Sequence, residues 1–124
     1  MEPYLMENKM ELTPAQQELL DAAESGDENA QSSLVYAYAY EKYGFIQNPE
    51  KLLEIAERNW PYARYCVAKG YAEGKYGFEK SHAKLLELAE RDWHAARFIV
   101  VEGYAKGKYG FEQNPEKLLE LPGS

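Results

Sequence analysis

Apolar and polar positions along this chain follow a helical rhythm that itself repeats. Ala30, Leu34 and Tyr38 are spaced four apart, as are Ala63, Val67 and Tyr71, and again Ala96, Val100 and Tyr104. Each set lies on one helix face, and successive sets stand 33 residues apart. A second apolar block follows each first one, at Leu52, Leu53, Ile55 and Ala56, then Leu85, Leu86, Leu88 and Ala89, then Leu118 and Leu119. Between the two blocks stands Lys-Tyr-Gly-Phe, at residues 42–45, 75–78 and 108–111. This pattern predicts a first helix over about 29–42, 62–75 and 95–107, a turn, and a second helix. Glycine in the turn supplies the dihedral that a tight helix exit needs. A period of roughly 20 to 50 residues means stacked supersecondary units. The fold class expected is all-α: an α/α solenoid, wound as a right-handed superhelix.

Helix starts are written in the sequence. Asn48-Pro49-Glu50 and Asn114-Pro115-Glu116 place an N-cap, a proline at the first helical position and an acid in the first turn. In the middle copy Ser81 and His82 stand there, and a serine oxygen also caps. Thr13-Pro14-Ala15-Gln16 opens an additional helix, which Ser25-Gly26-Asp27 ends. The chain divides into an acidic N-terminal arm and capping helix (1–27) and repeats at 28–60, 61–93 and 94–124, one domain in all. Pro122 cuts the last second helix short, leaving about two and a half units. Leu118, Leu119 and Leu121 then lack the cover a terminal repeat needs, so self-association through this truncated repeat is expected.

Composition sharpens the functional question. The net charge is −7, and residues 1–28 hold eight acids against one base, leaving the remainder balanced. Nucleic-acid binding through a basic patch is disfavoured. The acidic segment either steers a basic partner or is a solvated stretch that aids solubility. No apolar run approaches the ~20 residues of a membrane span, and the N-terminus has no secretion signal, so a cytoplasmic protein off the membrane is expected. The single cysteine, Cys66, has no internal disulfide partner. No histidine stands at helical spacing from it, so a small unreactive thiol is expected rather than a nucleophile. Two histidines and no clustered carboxylates make no metal site of ordinary spacing, and the glycines punctuate helix ends rather than cradle phosphate. No catalytic, cofactor-binding or metal residue is assigned, and an enzyme is not expected.

Comparing the copies with one another separates two kinds of position. Ala30/Ala63/Ala96, Leu34/Val67/Val100, Tyr38/Tyr71/Tyr104 and Ala39/Ala72/Ala105 hold their character and read as packing columns. Asn29/Tyr62/Ala95, Ser33/Cys66/Ile99, Tyr36/Lys69/Glu102 and Tyr40/Glu73/Lys106 change it altogether. The changing columns form one helical stripe. Such a stripe is either unconstrained or specialised for a ligand. Tyr36, Tyr40, Tyr62, Lys69, Glu73, Glu102 and Lys106 are the candidate partner-binding residues, tyrosines as anchors and charges for complementarity. Trp60 and Trp93 are expected to wedge between repeats, and Arg58 and Arg91 to pair with nearby acids.

The middle repeat carries Ala63, Tyr65, Val67-Ala68, Tyr71, Gly74, Gly77-Phe78, Lys84, Leu88-Ala89 and Ala96 at spacings that resemble the Sel-one-like repeat family, short relatives of tetratricopeptide repeats. The third repeat follows with Phe98, Val100-Val101, Tyr104, Gly107 and Gly110-Phe111, whereas Glu41 replaces the first glycine in the first repeat. The unit is shorter than usual for that family, and Asn59 and Asp92 stand where a glycine usually follows the second helix. The resemblance implies a non-catalytic scaffold that binds protein, often in bacterial regulation or host contact, with its first helices lining a concave surface. Two readings follow. One is an interaction module holding a partner protein or peptide on that surface. The other is a small acidic antagonist, such as an immunity protein or phage-type inhibitor, acting through the acidic segment.

Overall fold

A computed structural model describes residues 12–120. The acidic arm before residue 12 and the chain end after residue 120, with its expected self-association, lie outside the described residues. The described chain is helical, with no strand: α1 (Pro14–Glu24), α2 (Glu28–Tyr40), α3 (Pro49–Glu57), α4 (Ala63–Glu73), α5 (His82–Glu90), α6 (His94–Lys106) and a closing 3-10 helix (Pro115–Glu120).

Local chemistry accounts for the helix ends. Thr13 Oγ1 accepts from the Gln16 amide at 3.1 Å while Gln16 Oε1 accepts from the Thr13 amide at 2.9 Å, a reciprocal cap behind Pro14. Asn48 and Ser81 cap α3 and α5 by accepting from the Lys51 and Lys84 amides. The closing element is 3-10 rather than α, with the Lys117 amide donating to the Asn114 carbonyl. Six residues complete too few i to i−4 bonds to offset the cost of starting an α-helix.

The first helices end earlier than the pattern suggested in the first two copies. Glu41, Gly74 and Gly107 follow α2, α4 and α6 in the left-handed conformation, which reverses the chain. Two residues later Tyr43, Tyr76 and Tyr109 are also left-handed, at φ 57°, 60° and 57°, each followed by a positive-φ glycine. The turn needs both members of the Tyr-Gly pair in unusual conformations. Asn59 and Asp92, at φ 60° and 69°, fill the left-handed position after α3 and α5, which Asn and Asp tolerate.

The same bonds recur at each copy. The Asn48, Ser81 and Asn114 amides donate to the Tyr38, Tyr71 and Tyr104 carbonyls at 3.0, 2.9 and 2.8 Å. Each helix packs on the next in sequence, and α2 also touches α4, and α4 touches α6. Among the described residues no element packs on one further along the chain. The core is a continuous band containing Leu34, Leu52, Val67, Leu85, Trp93 and Val100. The columns Ala30/Ala63/Ala96 and Leu34/Val67/Val100 are buried throughout it.

Polar ties join α1 to the first copy and each copy to the next. Arg58 makes two hydrogen bonds to the Glu24 carboxylate, at 3.0 and 2.9 Å, and Arg91 two to Glu57, at 3.0 and 2.7 Å. Each guanidinium also lies over a buried indole, Arg58 over Trp60 and Arg91 over Trp93. The arginine holds its carboxylate partner below the ordinary glutamate pKa in both pairs. The Gln16 side-chain amide donates to the Tyr43 carbonyl at 2.8 Å, and His82 Nε2 lies 2.7 Å from the equivalent carbonyl of Tyr109.

Candidate functional site

The most distinctive surface lies between α2 and α4. Six of the eleven tyrosines, Tyr36, Tyr40, Tyr43, Tyr62, Tyr65 and Tyr76, line one groove of about 380 Å³. Helix α2 presents Tyr36 and Tyr40 one turn apart, while the two left-handed turn residues, Tyr43 and Tyr76, close the groove from the loops. The Tyr36 and Tyr40 ring centroids are 4.6 Å apart, and Tyr40 meets Tyr76 edge-on at 5.2 Å and 74°. The Tyr40 and Tyr76 hydroxyls complete the set with a 2.9 Å hydrogen bond. Burial and that bond raise the Tyr76 pKa above the ordinary phenol value.

Tyr62 reaches the groove by a route the pattern did not anticipate. It was expected within a helix, at a stripe position. Instead it precedes α4 as a left-handed N-cap, at φ 66°, without a side-chain capping bond. Pro61 forms a turn with it in which the Ala63 amide donates to the Trp60 carbonyl at 3.1 Å, so the helix starts only at Ala63. The residue is 67% exposed and its left-handed backbone is strained for a bulky side chain.

The expected stripe is therefore divided. Tyr36, Tyr40 and Tyr62 converge on the groove, whereas Lys69, Glu73, Glu102 and Lys106 do not line it. These four are engaged along their own helices: Lys69 with Glu73 at 3.4 Å, and Lys106 with Glu102 at 3.7 Å. Lys75 adds to Glu73 at 3.0 Å, and the Tyr109 hydroxyl donates to Glu102 at 2.9 Å. The Lys75 hydrogen bond and the two lysine charges lower the Glu73 pKa. In the column Ser33/Cys66/Ile99, Cys66 and Ile99 are buried, while Ser33 and Cys66 border the groove beside the tyrosines.

The turn tyrosines Tyr43 and Tyr76, together with Tyr65, were not foreseen as site residues. For Tyr43 and Tyr76 the available signal was the identity of Lys-Tyr-Gly-Phe in every copy, which reads better as a structural turn and inter-repeat packing. Cys66 is a buried free thiol. Burial pushes its thiol up to about 11, so it is protonated at neutral pH. A larger recess of about 760 Å³ shares Tyr62 and Tyr65 with the groove. Its arginines are already committed, Arg58 to Glu24 and Arg64 to the Ala56 carbonyl at 2.9 Å. Among the described residues no helix is long and apolar enough to cross a membrane. Compared with protein-family models, curated proteins and solved structures, the chain has no match.

Proposed function

We propose that this chain is a non-enzymatic interaction module of the Sel-one-like repeat type, holding a partner protein or peptide against its first-helix surface in the cytoplasm. In this reading α1 caps a right-handed solenoid of about two and a half 33-residue units. Nearest-neighbour packing and the recurrent bonds at Tyr38, Tyr71 and Tyr104 support that architecture. The observation that carries the functional reading is the gathering of six tyrosines on one groove. Tyrosine offers large contact area at low entropic cost, and exposed aromatic anchors dominate many interfaces. The acidic-antagonist reading draws on the acids of residues 1–28, but Glu24 is bound by Arg58 and Asp27 caps α2.

Capture of partners from lysate, compared between the wild type and a Tyr36→Ala/Tyr62→Ala variant, tests the module. The same partner should be lost by the variant at unchanged helical circular dichroism, with retention that resists salt. A partner retained by that variant, and released instead by neutralising the acids of residues 2–18 or by moderate salt, would favour the antagonist.

A further inference from the structure

We propose that the tyrosine groove binds an uncharged, proline-rich segment of a partner in the polyproline II conformation; this rests on the interaction-module reading above. Among the described residues the lining carries no acid or base: beside the tyrosines stand Ser32, Ser33, Val35 and Cys66. A ligand charge placed there would lose water without meeting a counter-charge. Aromatic rings do attract cations, but one face is already taken, with Lys69 Nζ 5.6 Å from the Tyr65 centroid. Glu73, which could balance an incoming cation, is held by both Lys69 and Lys75. The groove therefore selects a neutral guest.

What the lining offers is flat rings and hydroxyl groups. A polyproline II segment presents the complement. Its backbone makes no internal hydrogen bonds, its proline residues have no N–H, and its carbonyls remain free to accept. Tyrosine and serine hydroxyls can donate to those carbonyls while pyrrolidine rings lie against tyrosine faces. A helical guest spends its carbonyls on its own hydrogen bonds and offers few to the groove's hydroxyls. A β-strand guest needs a sheet edge, and the described chain has no strand. The host is also preorganised: the 2.9 Å hydroxyl bond locks Tyr40 to Tyr76, and Tyr36 packs on Tyr40 at 4.6 Å. A stiff guest meeting a stiff groove loses little conformational entropy on binding.

The probe is an end-blocked oligoproline of about ten residues, three turns of polyproline II. It is titrated calorimetrically against the full chain, beside a Gly-Ser peptide and an arginine-rich peptide of equal length. The oligoproline should bind with little dependence on salt, and the other two should not. Tyr36→Ala and Tyr65→Ala should each weaken it about tenfold with the circular dichroism unchanged, and Tyr36→Phe less. Failure of oligoproline to bind at millimolar concentration overturns the inference, as does binding indifferent to Tyr36 and Tyr65. Binding of the arginine peptide through Tyr36 instead also overturns it, while leaving a peptide-binding module intact. Partner capture that persists in Tyr36→Ala/Tyr62→Ala would reject the module reading itself, and the proline inference with it.

Discussion

The hydroxyls of Tyr40 and Tyr76 lie 2.9 Å apart, joining two tyrosines separated by 36 residues in the chain. The bond links the end of α2 to the turn after α4, so it ties one copy to the next as well as shaping the groove. The partners are unequally buried. Tyr76 is 8% exposed and Tyr40 47%. Removing the Tyr40 hydroxyl leaves the Tyr76 hydroxyl unpaired, whereas removing that of Tyr76 returns the Tyr40 hydroxyl to water. Tyr40→Phe should therefore destabilise more than Tyr76→Phe, by about 1–2 kcal/mol against about 0.5–1. Denaturant unfolding of both single variants and the double variant measures this. Equal losses that simply add would mean the hydroxyls do not interact.

Glu41 occupies the left-handed cap that glycine fills in the other copies, at φ 58°. A side chain in that conformation costs about 1–2 kcal/mol, part of which glycine returns through its freer unfolded state. Among the described residues its carboxylate accepts only a long, exposed bond from the Gln47 amide at 3.3 Å. Glu41→Gly should stabilise by about 0.5–1 kcal/mol, seen as a raised thermal midpoint.

Gly70 has the opposite sensitivity. A Cβ there would run into the Phe78 ring and stand 3.0 Å from the Lys75 carbonyl. The first copy has Ala37 at this place, and its aromatic pair differs accordingly. Tyr38 and Phe45 are 5.5 Å apart at 71°, whereas Tyr71 and Phe78 are 4.9 Å apart at 57°. Gly70→Ala should push Phe78 toward the first copy's arrangement and cost about 1–3 kcal/mol in chemical denaturation.

Cys66 should be slow to alkylate in the folded protein and fast in denaturant, because its raised pKa leaves almost no thiolate at pH 8. A raised acid pKa also sets a sign for stability. The thiol's contribution is intact below the ordinary cysteine value, near 8.5. It is lost as pH rises through about 11. Cys66→Ala should flatten that alkaline loss, read from unfolding midpoints between neutral pH and pH 11. Rapid native labelling at pH 8 would show that the thiol is not held protonated.

Much of this was legible along the chain. Helix starts could be read at Thr13, Asn48 and Ser81 because capping is a local exchange between a side chain and amides two or three residues on. The packing columns could be read because a buried face must keep its character in every copy. Tyr36 and Tyr40 stood out as variable aromatics on one face. The strained position of Tyr62 was not legible, because the pattern extended α4 through it while Pro61 and the turn delayed the helix. The last second helix reads from the sequence as capped at Asn114 and cut short at Pro122; what the pattern does not show is that Pro115–Glu120 forms a 3-10 rather than an α-helix.

By itself the sequence determined the local elements: helices, their caps, the 33-residue recurrence and the faces that must be buried. These depend on neighbours within about one helical turn, which a linear pattern records. Only the tertiary structure decided which tyrosines meet. Tyr40 and Tyr76 pair, and Tyr43 and Tyr65 join them, because α2 and α4 lie side by side and the turns fold over their edge. That convergence depends on the angle between packed helices, which side chains far apart in the chain set together.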